Sequence, residues 1–88
     1  MLLLKGEKMN LCVVYGKIIS EIQFDFIYKS KQISISRFNI KLSNNSIIQI
    51  KAYDDLADFA YSKLKREESI IIKGKLGKNC IIAEEIIK

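Results

Sequence analysis

Polar and apolar residues alternate along most of the chain, and the alternation lays out a series of strands. Over residues 10–19, Cys12, Val14, Gly16 and Ile18 fall on one face and Leu11, Val13, Tyr15 and Lys17 on the other. Both faces are largely apolar, so this strand needs a cover on each side. In so small a domain the second cover is expected to be another copy of the chain, giving a homodimer or homotetramer through the first strand. Ile22, Phe24, Phe26 and Tyr28 then alternate with Gln23, Asp25, Ile27 and Lys29, the period of a half-buried strand that carries an aromatic row. Lys29, Ser30 and Lys31 read as a turn. A third strand over residues 32–42 changes phase, with Ile33 and Ile35 in one register and Phe38, Ile40 and Leu42 in the other. A bulge near Ser36 reconciles the two.

Ser43, Asn44, Asn45 and Ser46 form a strong turn signal, because asparagine tolerates left-handed backbone angles, and they predict a hairpin to a fourth strand. In that strand Ile48, Ile50 and Ala52 point one way and Ile47, Gln49, Lys51 and Tyr53 the other. Asp54 and Asp55 offer a helix N-cap, followed by Leu56, Ala57, Ala60 and Leu64 at helical spacing, with Lys63, Lys65 and Arg66 at the end the helix dipole favours. Residues 69–76, a tight turn at Gly77, Lys78 and Asn79, and residues 80–87 read as a closing hairpin.

Length and composition narrow this further. Eighty-eight residues, 49% hydrophobic and 28% charged with no proline, supply one globular core and no more. The domain is placed at residues 9–88. Residues 1–8 are set apart as an N-terminal extension, because Met1 to Leu4 is too short for a signal-peptide core and Met9 begins the first strand-like run. No apolar run approaches the roughly 20 residues that span a bilayer, so no membrane partner is expected. Cys12 and Cys80 lack metal-ligand spacing and the chain has no histidine, which leaves no zinc site and no Ser-His or Cys-His pair. With no glycine-rich phosphate loop either, the chain is read as a non-enzyme that needs no cofactor. The richness in isoleucine, lysine and asparagine fits an AT-rich genome, and a bacterial cytoplasm or a bacterial-type organelle such as a plastid is the expected setting.

Strands, then one helix, then two strands is the order of the OB fold, a five-stranded Greek-key barrel: all-β with one helix between the third and fourth core strands. The residues sharpen this. Leu56-Ala57-Asp58, Ala60, Leu64-Lys65-Arg66 and residues 70–76 (IIIKGKL) resemble, without a gap, a stretch of the bacterial single-stranded DNA-binding proteins that runs L-A-E, A, L-K/R-K, V-x-I/V-x-G-x-L. Residues 10–18 (NLCVVYGKI) are similar to that family's opening N-x-V-x-L-x-G-x-L, and Arg37-Phe38-Asn39-Ile40 to its R/N-F-x-L strand. The chain departs from the pattern in three ways. The family's Pro-Glu after the first strand is absent, Glu67 stands where a glycine is usual, and there is no tryptophan. The acidic-ended tail of the family is not found after the last strand, which makes the chain more like a primosomal accessory or organellar relative.

If Phe38, Ile40, Leu42, Ile48, Ile50, Ala52, Ile70, Ile72 and Leu76 face the core, the outward positions are Arg37, Asn39, Lys41, Gln49, Lys51, Tyr53, Lys73 and Lys75. Basic groups, amides and one ring on adjoining strands suit single-stranded DNA or RNA, with lysines on phosphates and rings stacking bases. The resemblance aligns Tyr53 with a base-stacking aromatic. Phe24, Phe26 and Tyr28 are the second candidates, as an aromatic arm. The expected function is single-strand binding with little sequence preference, accessory to DNA replication or repair. The alternative is an OB-fold assembly module that has lost nucleic-acid binding, as the missing tryptophans and tail suggest.

Overall fold

The computed structural model describes residues 11–28 and 32–88, with the side chains of residues 27, 28 and 32 left aside. The N-terminal extension, the turn expected at residues 29–31 and the side chain of Tyr28 lie outside what is described. The elements run β1 (Leu11–Ile18), β2 (Gln23–Tyr28), β3 (Gln32–Leu42), β4 (Ile47–Tyr53), α1 (Asp54–Lys63), β5 (Ser69–Gly77) and β6 (Cys80–Ile87). The strands form one sheet in the order β1-β5-β6-β4-β3-β2, and an additional β1–β3 pairing closes it on itself. The result is a five-stranded barrel, with β2 hung on the outside of β3 as a sixth strand. All pairings are antiparallel except β4 with β6.

Closure depends on β1 pairing along both edges at once. Leu11 through Lys17 pair with β5, and Gly16, Lys17 and Ile18 also pair with β3. At Gly16 the strands approach so closely that a Cβ would lie 2.9 Å from the Lys41 carbonyl oxygen. Glycine is required there by space, since its backbone angle is ordinary. Inside the barrel the expected residues meet. Ile18, Phe38, Ile40, Ile50, Ala52, Ile70 and Ile72 are buried, joined by Ala60 and Leu64 from α1 and its exit and by Ile81 of β6. Each fully buried isoleucine contributes roughly 1.5–3 kcal/mol relative to exposure. Leu42 and Ile48 are only partly buried. Leu76, counted above among core residues, is 57% exposed, one position beyond the Leu11–Lys75 pair that ends the described part of β1.

Two further expectations need correction. No bulge interrupts β3 at Ser36: residues 35–41 pair with β4 in unbroken register. The phase change has another cause. Ser34 and Ser36 point inward with Phe38 and Ile40, beneath α1, where the Ser36 hydroxyl donates to the Ala57 carbonyl at 2.7 Å and that of Ser34 to the Asp54 carbonyl at 3.4 Å. Small side chains let the helix sit close, and their hydroxyls are satisfied by its first carbonyls. Ile35, on the opposite face, is nonetheless buried. The second correction concerns α1. Its N-cap residue is Tyr53, no side chain caps it, and Asp54 is its first residue. Asp54 and Asp55 therefore act on the helix through charge near its positive end, not through a capping hydrogen bond.

The turns behave as their residues predict. Asn45 takes φ 70 in the β3–β4 hairpin and Asn79 φ 64 in the β5–β6 hairpin. Glu67 has φ 78, a left-handed conformation that glycine adopts without steric cost. A non-glycine residue in that region costs roughly 1–2 kcal/mol. The exposed Lys17–Glu67 ion pair at 3.4 Å offsets little of this. Glu67→Gly is therefore expected to stabilise the fold by about 0.5–1 kcal/mol after the greater chain entropy of glycine is subtracted. A thermal melt should show the midpoint rising by a few degrees, and a lower midpoint contradicts the strain.

Candidate nucleic-acid interface

The register of β3 and β4 assembles most of the candidate site on one surface. Lys41 pairs with Ile47, Asn39 with Gln49, Arg37 with Lys51 and Ile35 with Tyr53, and all eight point away from the core because their neighbours Phe38, Ile40, Ile50 and Ala52 point into it. Residues 35–41 run about 20 Å along the strand, at roughly 3.3 Å per residue. The strip thus reads, from one end to the other, as a lysine, a pair of amides, two cations and a tyrosine beside a buried isoleucine. β2 widens it: Gln23 pairs with Arg37, and Asp25 with Ile35. A depression of about 400 Å³ lies here, lined by Ser20, Gln23, Arg37, Asn39 and Gln49 among others. Its upper rim is fixed by Ser20, whose hydroxyl oxygen accepts the Asn39 backbone N–H at 2.9 Å.

Electrostatics divide the cations into two groups. Arg37 donates to Asp25 Oδ2 at 2.9 Å, from the β2 position paired with Ile35. Lys73 is 3.5 Å from Glu85, and Lys75 is 3.6 Å from Glu84. Among the described residues, Lys41 and Lys51 have no acidic partner, and both belong to the β3–β4 strip. Their fields are uncompensated, which is what an incoming phosphate requires.

The sheet order separates two candidates from this strip. β6 lies between β4 and β5, so Lys73 and Lys75 are not on a strand adjoining β3 or β4. Lys75 keeps a distant link through one lateral row, Gln23, Arg37, Lys51, Ile82 and Lys75, in which it stands two strands from Lys51, about 10 Å at roughly 4.8 Å per strand. Lys73 falls in the next row, between Val13 and Glu85. The aromatic arm is also displaced. Phe24 pairs with Ser36 and Phe26 with Ser34, so both rings lie on the helix side of β2–β3, opposite Tyr53. Tyr28 pairs with Gln32. Gln23, absent from the sequence-based candidates, joins the strip beside Arg37, and its alternation with Phe24 is the signal that marks its face.

The cysteines add no reactive centre to the strip. Burial pushes the Cys12 thiol up, the reverse of what a nucleophilic thiolate requires. At the α1 exit, the backbone N–H of Lys65 donates to the Glu68 carboxylate at 2.9 Å and holds it below the usual carboxylate range, with Lys88 assisting.

No protein-family model and no curated protein matches this sequence. Solved structures do match its fold. The SSB domain of a Synechococcus protein superposes with a TM-score of 0.83 at 9% identity, covering 91% of this chain and 96% of that one. The single-stranded DNA-binding protein of Thermus aquaticus superposes at 0.78 with 16% identity, over 97% of this chain and 43% of that one, so this chain spans less than half its length. The small single-stranded DNA-binding protein of Streptomyces coelicolor gives 0.69 at 15% identity, over 86% and 88%. A closed barrel of β1, β3, β4, β6 and β5, with α1 between the third and fourth of these strands in chain order, gives this chain the OB fold in the form shared by those bacterial single-stranded DNA-binding structures.

Proposed function

We propose that the protein binds single-stranded DNA, with little sequence preference, across the outer face of β3 and β4, as an accessory to replication or repair in a bacterial cytoplasm or bacterial-type organelle. The observation that carries this reading is the coincidence on one strip of two lysines without acidic partners among the described residues and a half-buried tyrosine, with the Asn39 and Gln49 amides between the lysines. Lys41 and Lys51 neutralise phosphates and release counterions. Tyr53 accepts a base on its ring, and the amides bond to whichever base edges pass, which gives affinity without a code. Arg37 contributes its remaining donors while Asp25 orients its guanidinium. Single-stranded RNA offers the same phosphates and base faces, so it is the natural competitor in any binding assay.

Salt dependence tests this directly. Fluorescent oligo-dT titrated at low and moderate salt should bind with a salt-sensitive affinity, and replacing both Lys41 and Lys51 with alanine should reduce the log–log slope by about 1.4, at roughly 0.7 per phosphate contact. Lys73→Ala should change the slope less, because Glu85 already occupies its charge. Equal slopes for the unmodified protein and the Lys41/Lys51 double variant would remove the strip from the mechanism.

A specific feature also favours assembly. Leu11, Val13 and Tyr15 are exposed on the outer face of β1. Tyr15 aligns laterally with half-buried Ile71 and exposed Ile87. Among the described residues, the β1 edge facing away from β5 is unpaired at residues 11–15. Such an edge and an apolar face suit a second copy of the chain. Sedimentation should show a dimer or tetramer that Val13→Lys together with Tyr15→Arg converts to monomer. A monomeric unmodified protein would contradict this interface. If oligo-dT fails to bind at any salt while the oligomer persists, the chain is the assembly module instead.

A further inference from the structure

Resting on the single-strand reading, we infer that the strand's path does not end on the β3–β4 strip but crosses residues 20–23 onto the helix side, where Phe26 and Tyr61 stack further bases. The displaced aromatic row is the starting observation. Phe24 stacks on Tyr61 of α1 with ring centroids 4.9 Å apart and planes at 29°, and Phe26 meets Phe24 edge-on at 5.6 Å. Three rings from two elements therefore make one continuous platform. Its outer members are open to solvent: Phe26 is 64% exposed and Tyr61 57%. An isolated exposed aromatic is ordinary, whereas a cluster joining one stacked and one edge-on ring pair, with two open members, is a surface suited to flat apolar groups.

Cations stand beside the platform. A second depression, of about 460 Å³, adjoins Tyr61 and is bordered by Ile22, Leu64, Lys65 and Arg66. The Lys65 ammonium makes no ion pair among the described residues, although its backbone N–H bonds the Glu68 carboxylate, and Arg66 reaches Glu21 at a long 3.8 Å between two exposed side chains. That pairing is weak enough for a phosphate to displace it. Apolar rings next to loosely held cations are the requirement of a base with its phosphate, and a purely apolar peptide partner would have no use for Lys65 and Arg66.

Continuity links the two faces. Ser20, Glu21 and Gln23 border the depression on the β3–β4 side, while Glu21 and Ile22 border the one on the helix side. The two are thus separated by the width of one chain segment. A strand leaving Arg37 and Gln23 reaches Arg66 and Tyr61 by passing over residues 20–23, where the exposed Glu21 carboxylate turns aside as Arg66 takes up a phosphate. An OB fold covers about 4–16 nucleotides, so a short ligand fills the strip alone and a long one fills both faces.

The test compares an oligo-dT of about 5 nucleotides with one of about 15, the low and high ends of that range. Phe26→Ala and Tyr61→Ala, both at exposed positions whose loss leaves the core intact, should leave binding of the short oligomer unchanged and weaken the long one at least about fivefold each. Arg66→Ala should lower the salt slope for the long oligomer only. Unaltered affinity of both variants for the long oligomer overturns the second platform and leaves it a protein-docking face, while Tyr53→Ala still tests the first. Loss of short-oligomer binding in Phe26→Ala with an unchanged melting midpoint also overturns it, because the rings then belong to the primary site. If the unmodified protein binds neither length, the failure lies in the single-strand reading itself.

Discussion

Replacing Gly74 with alanine is expected to cost upwards of about 3 kcal/mol, the top of the usual range for overpacking, and to remove a large share of the protein's stability. The reason lies in the register shift between β5 and β6, where Lys73 pairs with Glu85 but Gly74 pairs with Ala83, leaving Glu84 as an extra residue in β6. A bulge of this kind bends its strand, and the β6 backbone runs close against Gly74. A Cβ on Gly74 would stand 2.1 Å from the Ile82 carbonyl oxygen and 2.9 Å from its carbonyl carbon, with the Ala83 Cα at 3.0 Å. Every one of these neighbours is backbone, so no side-chain rotation relieves the clash, and only a shift of the strand does. At roughly 0.05–0.15 kcal/mol per residue, a chain of this size has about 4–13 kcal/mol of total stability to draw on. Gly77→Ala provides the contrast, because its Cβ would meet the Cys80 Sγ at 3.0 Å, an atom that can turn aside. Urea denaturation should separate the two variants widely. A Gly74→Ala midpoint within about 1 kcal/mol of the unmodified protein contradicts the account of the bulge.

The second large effect is on binding. Tyr53→Ala should weaken oligo-dT by roughly 1–3 kcal/mol, the usual contribution of one stacked base. Tyr53 occupies the far end of the strip, across from buried Ile35, and its ring meets no other ring among the described residues. It is also the N-cap residue of α1, but its side chain makes no capping bond, so truncation should leave the helix in place. Tyr53→Phe keeps the ring and drops the hydroxyl, and its affinity should stay within about twofold of the unmodified protein. Equal losses in both variants would point to the hydroxyl in place of stacking. Unchanged affinity in the alanine variant would move the platform elsewhere.

Much of this architecture is legible in the chain because most strands have one core face. Cys12, Val14, Gly16 and Ile18 do point inward while Leu11, Val13 and Tyr15 point out. The asparagine turns lie where their residues place them, and the helix starts as expected but ends at Lys63, so Leu64 is its C-cap and Lys65 and Arg66 lie beyond it. Legibility fails where a position depends on partners distant in sequence. Lys73 and Lys75 alternate outward as expected, yet a strand that comes later in the chain inserts between them and Lys51. The aromatic row of β2 alternates as expected too, but which face it takes depends on the hairpin register, and a one-residue slip reverses every side chain. Ser34 and Ser36 looked like a break in the β3 pattern because polarity suggests solvent. Their burial is decided by the α1 carbonyls above them, which no local pattern contains. Of the candidate site, Arg37, Lys41, Gln49, Lys51 and Tyr53 come together, and these are the residues contributed by a single hairpin.

The central claim, that the outer face of β3 and β4 holds the strand, is tested most directly by backbone amide NMR of the full chain during titration with a short oligo-dT. The account predicts that the largest shifts fall on residues 35–41 and 49–53, with Gln23 following and the β1 residues Leu11, Val13 and Tyr15 unmoved. Shifts concentrated on β1 and β5, or none at a concentration that saturates a filter-binding assay, would contradict it.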